Sequence, residues 1–155
     1  MAQRGGPVHC EVRIGKVFGS RIPPLSSDII VVVELSEGLK SLEFVKPGGT
    51  VILNRKMIYP IDMMSHPEKY PQDEEIVGLF KKAKAKIIRI DAAKIAKEKG
   101  LPIAENIVLL GALSFVASFN KESVMIILRE NIHRELDKNI AAFCAGYEIA
   151  EGMVK

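Results

Sequence analysis

The sequence predicts an α/β fold: a three-layer α/β/α arrangement with helices on a mostly parallel or mixed sheet, and a helical C-terminal third. Three observations predict it. Ile29-Ile30-Val31-Val32-Val33 is a continuous β-branched run, as expected of a strand buried on both faces. A stretch with helical spacing (Leu39, Leu42, Val45) separates it from a second such run, Thr50 to Leu53. Strand, helix and strand in this order form a βαβ unit with a right-handed crossover. Past Gly100 the pattern turns helical, and Ala104 to Phe119 is apolar on nearly all sides, which suits a central, buried helix.

The individual elements follow in order. Arg4-Gly5-Gly6 is a glycine-rich turn that runs into Val8 to Ile14, where Val8, Cys10, Val12 and Ile14 alternate with His9, Glu11 and Arg13 in the manner of a strand. Gly15-Lys16-Val17-Phe18-Gly19 reads as a tight turn or hairpin, and Pro23-Pro24 ends that element. Ser36-Glu37 opens the short helix of the βαβ unit, and Lys46-Pro47-Gly48-Gly49 closes it as a helix-to-strand turn. Asn54 to Asp73 is a long connection containing Met57, Pro60, Met63, Met64, Pro67 and Pro71. Connections of that length inside compact domains are usually functional or contact a partner. Glu74 to Ala83 returns to helix and Lys86 to Ile90 to strand. Asp91 caps a helix from Ala92 to Lys99, and Gly100 stops it. Asn120 caps Lys121 to Asn131. A last amphipathic helix begins near Glu135, with Ile140, Phe143, Cys144, Tyr147 and Ile149 facing inward.

Composition narrows the function classes. The 155 residues, 48% hydrophobic and 26% charged, match one soluble globular domain covering residues 1–155. A net charge of +3, with no basic stripe interleaved with aromatics, argues against nucleic acid. The longest apolar run, Ile107 to Phe119, is interrupted by Gly111, Ser114 and Ser118 and falls short of the roughly 20 residues a bilayer requires. The N-terminus is polar, so no membrane contact and a cytoplasmic location are expected. Cys10 and Cys144 are too few and too far apart for a zinc or iron–sulfur site, and each reads as a buried thiol. His9 and Cys10, adjacent in a strand, would point to opposite faces and so could not share a metal. His66 and His133 add no triad or metal spacing, and no metal site is expected.

Two places carry candidate chemistry. At Arg4-Gly5-Gly6, consecutive glycines let backbone N–H groups approach an anion, and the adjacent guanidinium can grip a phosphate bidentately. The alternative is a tight turn whose arginine pairs with a carboxylate on a partner. Glu105 and Asn106 are polar residues in the first turn of the apolar helix. They either face a cleft beside the positive helix end or simply cap that end, and capping is the favoured reading. Asn139, among apolar neighbours, reads as a buried amide tying two helices together. No catalytic residue is expected.

The residues -QRGG-, followed by a strand ending -VRIG-, resemble the gamma subunit, or gamma domain, of the 2-oxoacid:ferredoxin oxidoreductases, most nearly the indolepyruvate oxidoreductase beta chain type. So do -FVKPGGTVILN- from Phe44 to Asn54, the segment Asp91 to Ala112 with -AENIVLLGA-, and -NIAAFCAGY- from Asn139 to Tyr147, all in the family's order. The -VKPGGTVIL- turn is also similar to a segment of methyltransferases, but no G-x-G-x-x-G stretch accompanies it. The resemblance implies a supporting role in CoA-dependent oxidative decarboxylation of a 2-oxoacid, indolepyruvate or another aryl pyruvate. Thiamine diphosphate, magnesium and iron–sulfur clusters are then expected on partner subunits, with ferredoxin an indirect partner. The resemblance implies coenzyme A as the one cofactor this chain touches, through Arg4, Gly5 and Gly6 or through Glu105 and Asn106. Rival readings are a pure assembly module of the same complex and a free-standing Rossmann-like nucleotide binder. Family members carry one β–α unit, roughly 30 residues, before -QRGG-. This chain is therefore expected to be N-terminally truncated relative to the family, with a raw sheet edge, exposed apolar helix faces, and homo-oligomerisation or instability when alone.

Overall fold

The computed structural model describes residues 8–58 and 72–154. The Arg4-Gly5-Gly6 turn lies outside these, as do Pro60, Met63, Met64, His66, Pro67 and Pro71 of the long connection. Among the described residues, three strands form one parallel sheet in the order β1-β2-β3: β1 is Ser27–Val32, β2 Val45–Asn54 and β3 Lys86–Ile90. Helix α1 (Gly38–Ser41) lies between β1 and β2, and α2 (Asp73–Lys82) between β2 and β3. The chain after β3 is helical: α3 (Ala92–Glu98), a 3₁₀ turn at Pro102–Ala104, α4 (Glu105–Val116), α5 (Lys121–Asn131) and α6 (Leu136–Val154).

The three layers follow from the pleat. Successive residues of β2 point to opposite faces, and both faces are covered. Ile52, with Ile88 and Ile90 of β3, packs against α3, α4 and α6. Val51 and Leu53, with Val32 of β1, pack against Ile76, Val77 and Phe80 of α2. Residues on both sides of the strand are thus apolar, which is why these strands read as unbroken β-branched runs. Met125 and Leu128 of α5 close a third cluster around Phe143 of α6.

Helix ends set by local chemistry fall where the sequence puts them. Asp91 Oδ1 accepts from the Lys94 N–H (3.0 Å), and Asn120 Oδ1 from the Ser123 N–H (2.8 Å). Elements that depend on distant partners differ. Val8 to Ile14 is not a strand: Val8, Val12 and Ile14 are 94%, 72% and 77% exposed. No strand among the described residues pairs with it. Instead the segment folds on itself, with Arg13 Nη1 donating to the carbonyls of Gly19 and Arg21 and the Ile22 N–H donating to Glu11. Cys10 is consequently exposed rather than buried, and the opposite-face argument for His9 and Cys10 lapses. Cys144 is half-buried beside Met125.

The first helix is also shorter than its periodicity predicts. Pairing of Ser27 with Val45 draws Val45 into β2, so the helix stops at Ser41. The Lys46-Pro47-Gly48-Gly49 segment is then no helix-to-strand turn. It is a bulge inside β2, where pairing jumps from Ser27–Val45 to Ile29–Thr50. Gly48 takes φ +83° there, a region that glycine alone enters at no steric cost. Among the described residues, β1 and β3 are edge strands, each unpaired on its outer side.

Candidate functional site

Ligands of open parallel α/β sheets bind outside the carboxyl ends of the strands. In this chain those ends carry a connected group of polar contacts. Asn54, the last residue of β2, is fully buried. Its Nδ2 donates to the Val33 carbonyl beyond β1 (2.9 Å), and its Oδ1 accepts from the Ala92 N–H at the start of α3 (3.1 Å). One side chain thereby fixes three segments at the strand ends. Arg55 follows with its backbone N–H on the Ile90 carbonyl (2.8 Å), and the Leu35 N–H donates to the Lys56 carbonyl (2.9 Å).

Charged side chains spread to both faces from this seam. On the α4 side, Lys56 Nζ meets Glu105 at 2.8 Å. Glu105 opens α4, where a carboxylate is favoured by the helix dipole, so the pair is anchored on its acidic side. On the α2 side, Asp73 Oδ2 accepts from both Arg55 Nε (2.9 Å) and Arg89 Nη2, and Arg89 Nη1 contacts Glu74 at 2.9 Å. Asp73 Oδ1 is a buried side-chain oxygen with no hydrogen-bond partner among the described residues. Glu34, just past β1, accepts from Ser36 Oγ (2.7 Å) and from the backbone N–H groups of Glu37 and Ile58.

The hydrogen bond to Asp73 leads the influences that raise the Arg89 pKa above its ordinary value, and burial works against it. A raised folded-state pKa means that the contribution is complete below the ordinary arginine range and is lost only in strong alkali. Between about pH 6 and pH 9, stability should therefore show no step traceable to Arg89. Because the guanidinium is about a third exposed, Arg89→Leu should cost no more than ~1 kcal/mol in urea unfolding.

The residues singled out from sequence fare differently. Glu105 is half-buried and held by Lys56, so it is not a simple cap; α4 has no side-chain cap bond at Ala104. Asn106 is exposed, and its Oδ1 accepts from the neighbouring Ile107 N–H (3.1 Å). The two do not converge on one point. Asn139 is buried, but it donates to the Arg134 and Glu135 carbonyls ahead of its own helix rather than joining two helices. Asn54, Lys56, Asp73 and Arg89 went unremarked in the sequence. A polar residue ending the apolar run of β2, followed by two cations, is the signal that could have found them. Among the described residues, no three His, Cys, Asp or Glu side chains gather as metal ligands would.

What this arrangement offers is a shelf of alternating charge whose cations are engaged. A phosphate arriving at Arg55 or Lys56 competes with Asp73 or Glu105 for the same cation.

Comparison with known proteins places the chain. It is 35% identical over 153 residues to an indolepyruvate oxidoreductase subunit IorB of Archaeoglobus fulgidus, across 97% of this chain and 76% of that one. It is likewise 35% identical to the IorB subunit of Methanothermobacter thermautotrophicus, across 97% and 78%. Its fold is similar to the solved gamma subunit of a keto/oxoacid ferredoxin oxidoreductase from Geobacter sulfurreducens. That match has a TM-score of 0.58 at 21% identity and covers 81% of this chain, which spans 64% of the solved one. Residues 1–149 match the pyruvate ferredoxin/flavodoxin oxidoreductase family, and the chain belongs to that family.

Proposed function

We propose that this chain is the gamma-type subunit of a 2-oxoacid:ferredoxin oxidoreductase acting on indolepyruvate or another aryl pyruvate. The observation that carries this reading is the 35% identity to two indolepyruvate oxidoreductase subunits over nearly the whole chain. In this reading the subunit supports CoA-dependent oxidative decarboxylation without a complete active site of its own. Thiamine diphosphate, magnesium and iron–sulfur clusters reside on partner subunits, which pass electrons to ferredoxin.

Arg4, Gly5 and Gly6 contribute to the path of coenzyme A, with Glu105 and Asn106 at the head of α4 as a second, weaker contact. Arg4→Ala in the assembled enzyme should raise the apparent KM for CoA several-fold, on the order of one charge-assisted hydrogen bond, with kcat little changed. An unchanged KM would remove the ligand role.

One feature favours a second reading, in which the subunit only assembles the complex. Both cations that follow β2 are already neutralised, Arg55 by Asp73 and Lys56 by Glu105. Under that reading Arg4→Ala lowers the recovery of the complex and leaves its kinetics alone. Gentle purification from native cells tests both readings together. Co-purification with a large thiamine- and cluster-containing partner supports subunit membership, and a lone monomer or homodimer refutes it.

A further inference from the structure

The opposite edge of the sheet, at the amino ends of β2 and β3, carries a groove of about 750 Å³ between the start of β3 and the last turns of α4 and α6. Phe115 and Tyr147 meet edge to face within it at 5.3 Å. Phe119, Met153 and Val154 line it while remaining 40%, 53% and 58% exposed. Exposed apolar side chains gathered around a concavity mark a contact surface more often than scattered ones do.

Among the described residues, the one charged residue that lines this groove is Lys86, a cation. Lys81, Lys82, Lys84 and Lys86 fall within six residues of sequence, and no acidic residue lies between Ile76 and Ile90. All four are exposed, and among the described residues none forms an ion pair. Several lysines elsewhere are paired, as in Lys40–Glu37, Lys46–Asp28, Lys56–Glu105 and Lys138–Glu135. Lys81 and Lys82 complement the carbonyl end of α2. Lys84, in the turn, and Lys86, on the groove rim, have no such role. A lysine on an edge strand ordinarily discourages strand pairing. That duty does not explain the apolar side chains beside it.

The apolar groove and the exposed Lys86 on its rim together fit one kind of occupant: a polypeptide segment with apolar side chains flanked by carboxylates. Nucleic acid fits poorly, because the Tyr147 face is already covered by the Lys121 ammonium at 4.8 Å and Phe115 meets Tyr147 edge-on, which leaves no platform for stacked bases. We propose that this groove docks an acidic, apolar segment of a partner oxidoreductase subunit, an inference that rests on the subunit reading above.

The test uses the complex purified from native cells and the same complex carrying Met153→Asp or Lys86→Glu, both at exposed positions. Each variant should retain the wild-type unfolding temperature and hold its partner at least roughly tenfold less tightly, as the loss of one interface anchor does. Carbodiimide, which joins amines to carboxylates in contact, should link Lys84 or Lys86 to an Asp or Glu of the partner. Full retention of the partner by both variants, or links only to a second copy of this chain, would overturn the inference and leave the subunit reading intact. Absence of any oxidoreductase partner from the wild-type preparation would overturn both.

Discussion

Gly146→Ala should destabilise the protein by more than ~3 kcal/mol, above the usual range for overpacking a core. A Cβ at Gly146 would sit 1.9 Å from the Val108 carbonyl oxygen, and one at Gly111 would sit 2.0 Å from the Phe143 carbonyl oxygen. Helices α4 and α6 therefore cross backbone on backbone, each lending a glycine to the other. A methyl at either point cannot rotate aside, since the Cβ position is set by the backbone itself. The helices must separate, and the cluster that joins Val108, Leu109, Ala112, Ala142 and Ala150 to the sheet loosens with them. For a domain of this size the unfolding temperature should fall by on the order of 10 °C. Gly152→Ala is the matched control: it lies in the same helix, and nothing stands within 4 Å of its added methyl. That change should be neutral or stabilising by up to ~1 kcal/mol, the helix propensity difference. A Gly146→Ala protein as stable as the Gly152→Ala control would show that the helices do not approach this closely.

Asn54→Leu is expected to cost about 3 kcal/mol although the two side chains share the same branched heavy-atom skeleton. It strips the Val33 carbonyl and the Ala92 N–H of their partner at a fully buried position, and each orphaned group costs roughly 1–3 kcal/mol. Because this amide holds the exits of β1 and β2 to the head of α3, the loss should reach the neighbouring ion pairs as well. Hydrogen exchange at Leu35 and Arg55, whose N–H groups bond across that seam, should accelerate in the variant. Wild-type protection at those two amides would show that backbone pairing alone holds the strand ends.

How far each feature could be read from the chain depends on how far away its cause lies. The strand Lys86–Ile90 and the helices capped by Asp91 and Asn120 have causes within a few residues: a β-branched run, a side-chain oxygen facing the first turn, a glycine at the end. Two-sided burial of the β-branched runs likewise reports directly on helices above and below the sheet, so the layered class was legible. Val8 to Ile14 has the alternation of a strand, yet alternation becomes a strand only beside a second one, and the described chain provides none. Val45 continued a helical pattern until its pairing with Ser27 claimed it for β2.

The same divide runs through the candidate site. Glu105 and Asn106 stood out because polar residues interrupt an apolar run. Lys56, which decides what Glu105 does, is 49 positions away and carries no local mark. Nor do Gly111 and Gly146 look different from glycines that merely end helices; what distinguishes them is a carbonyl arriving from another helix. Period, caps and family membership are carried by the order of residues, because each arises from neighbours along the chain or from inherited order. The close helix crossing, the polar seam through Asn54 and the pairing of Arg55 and Lys56 arise from contacts between distant segments, and only the folded chain brings those together.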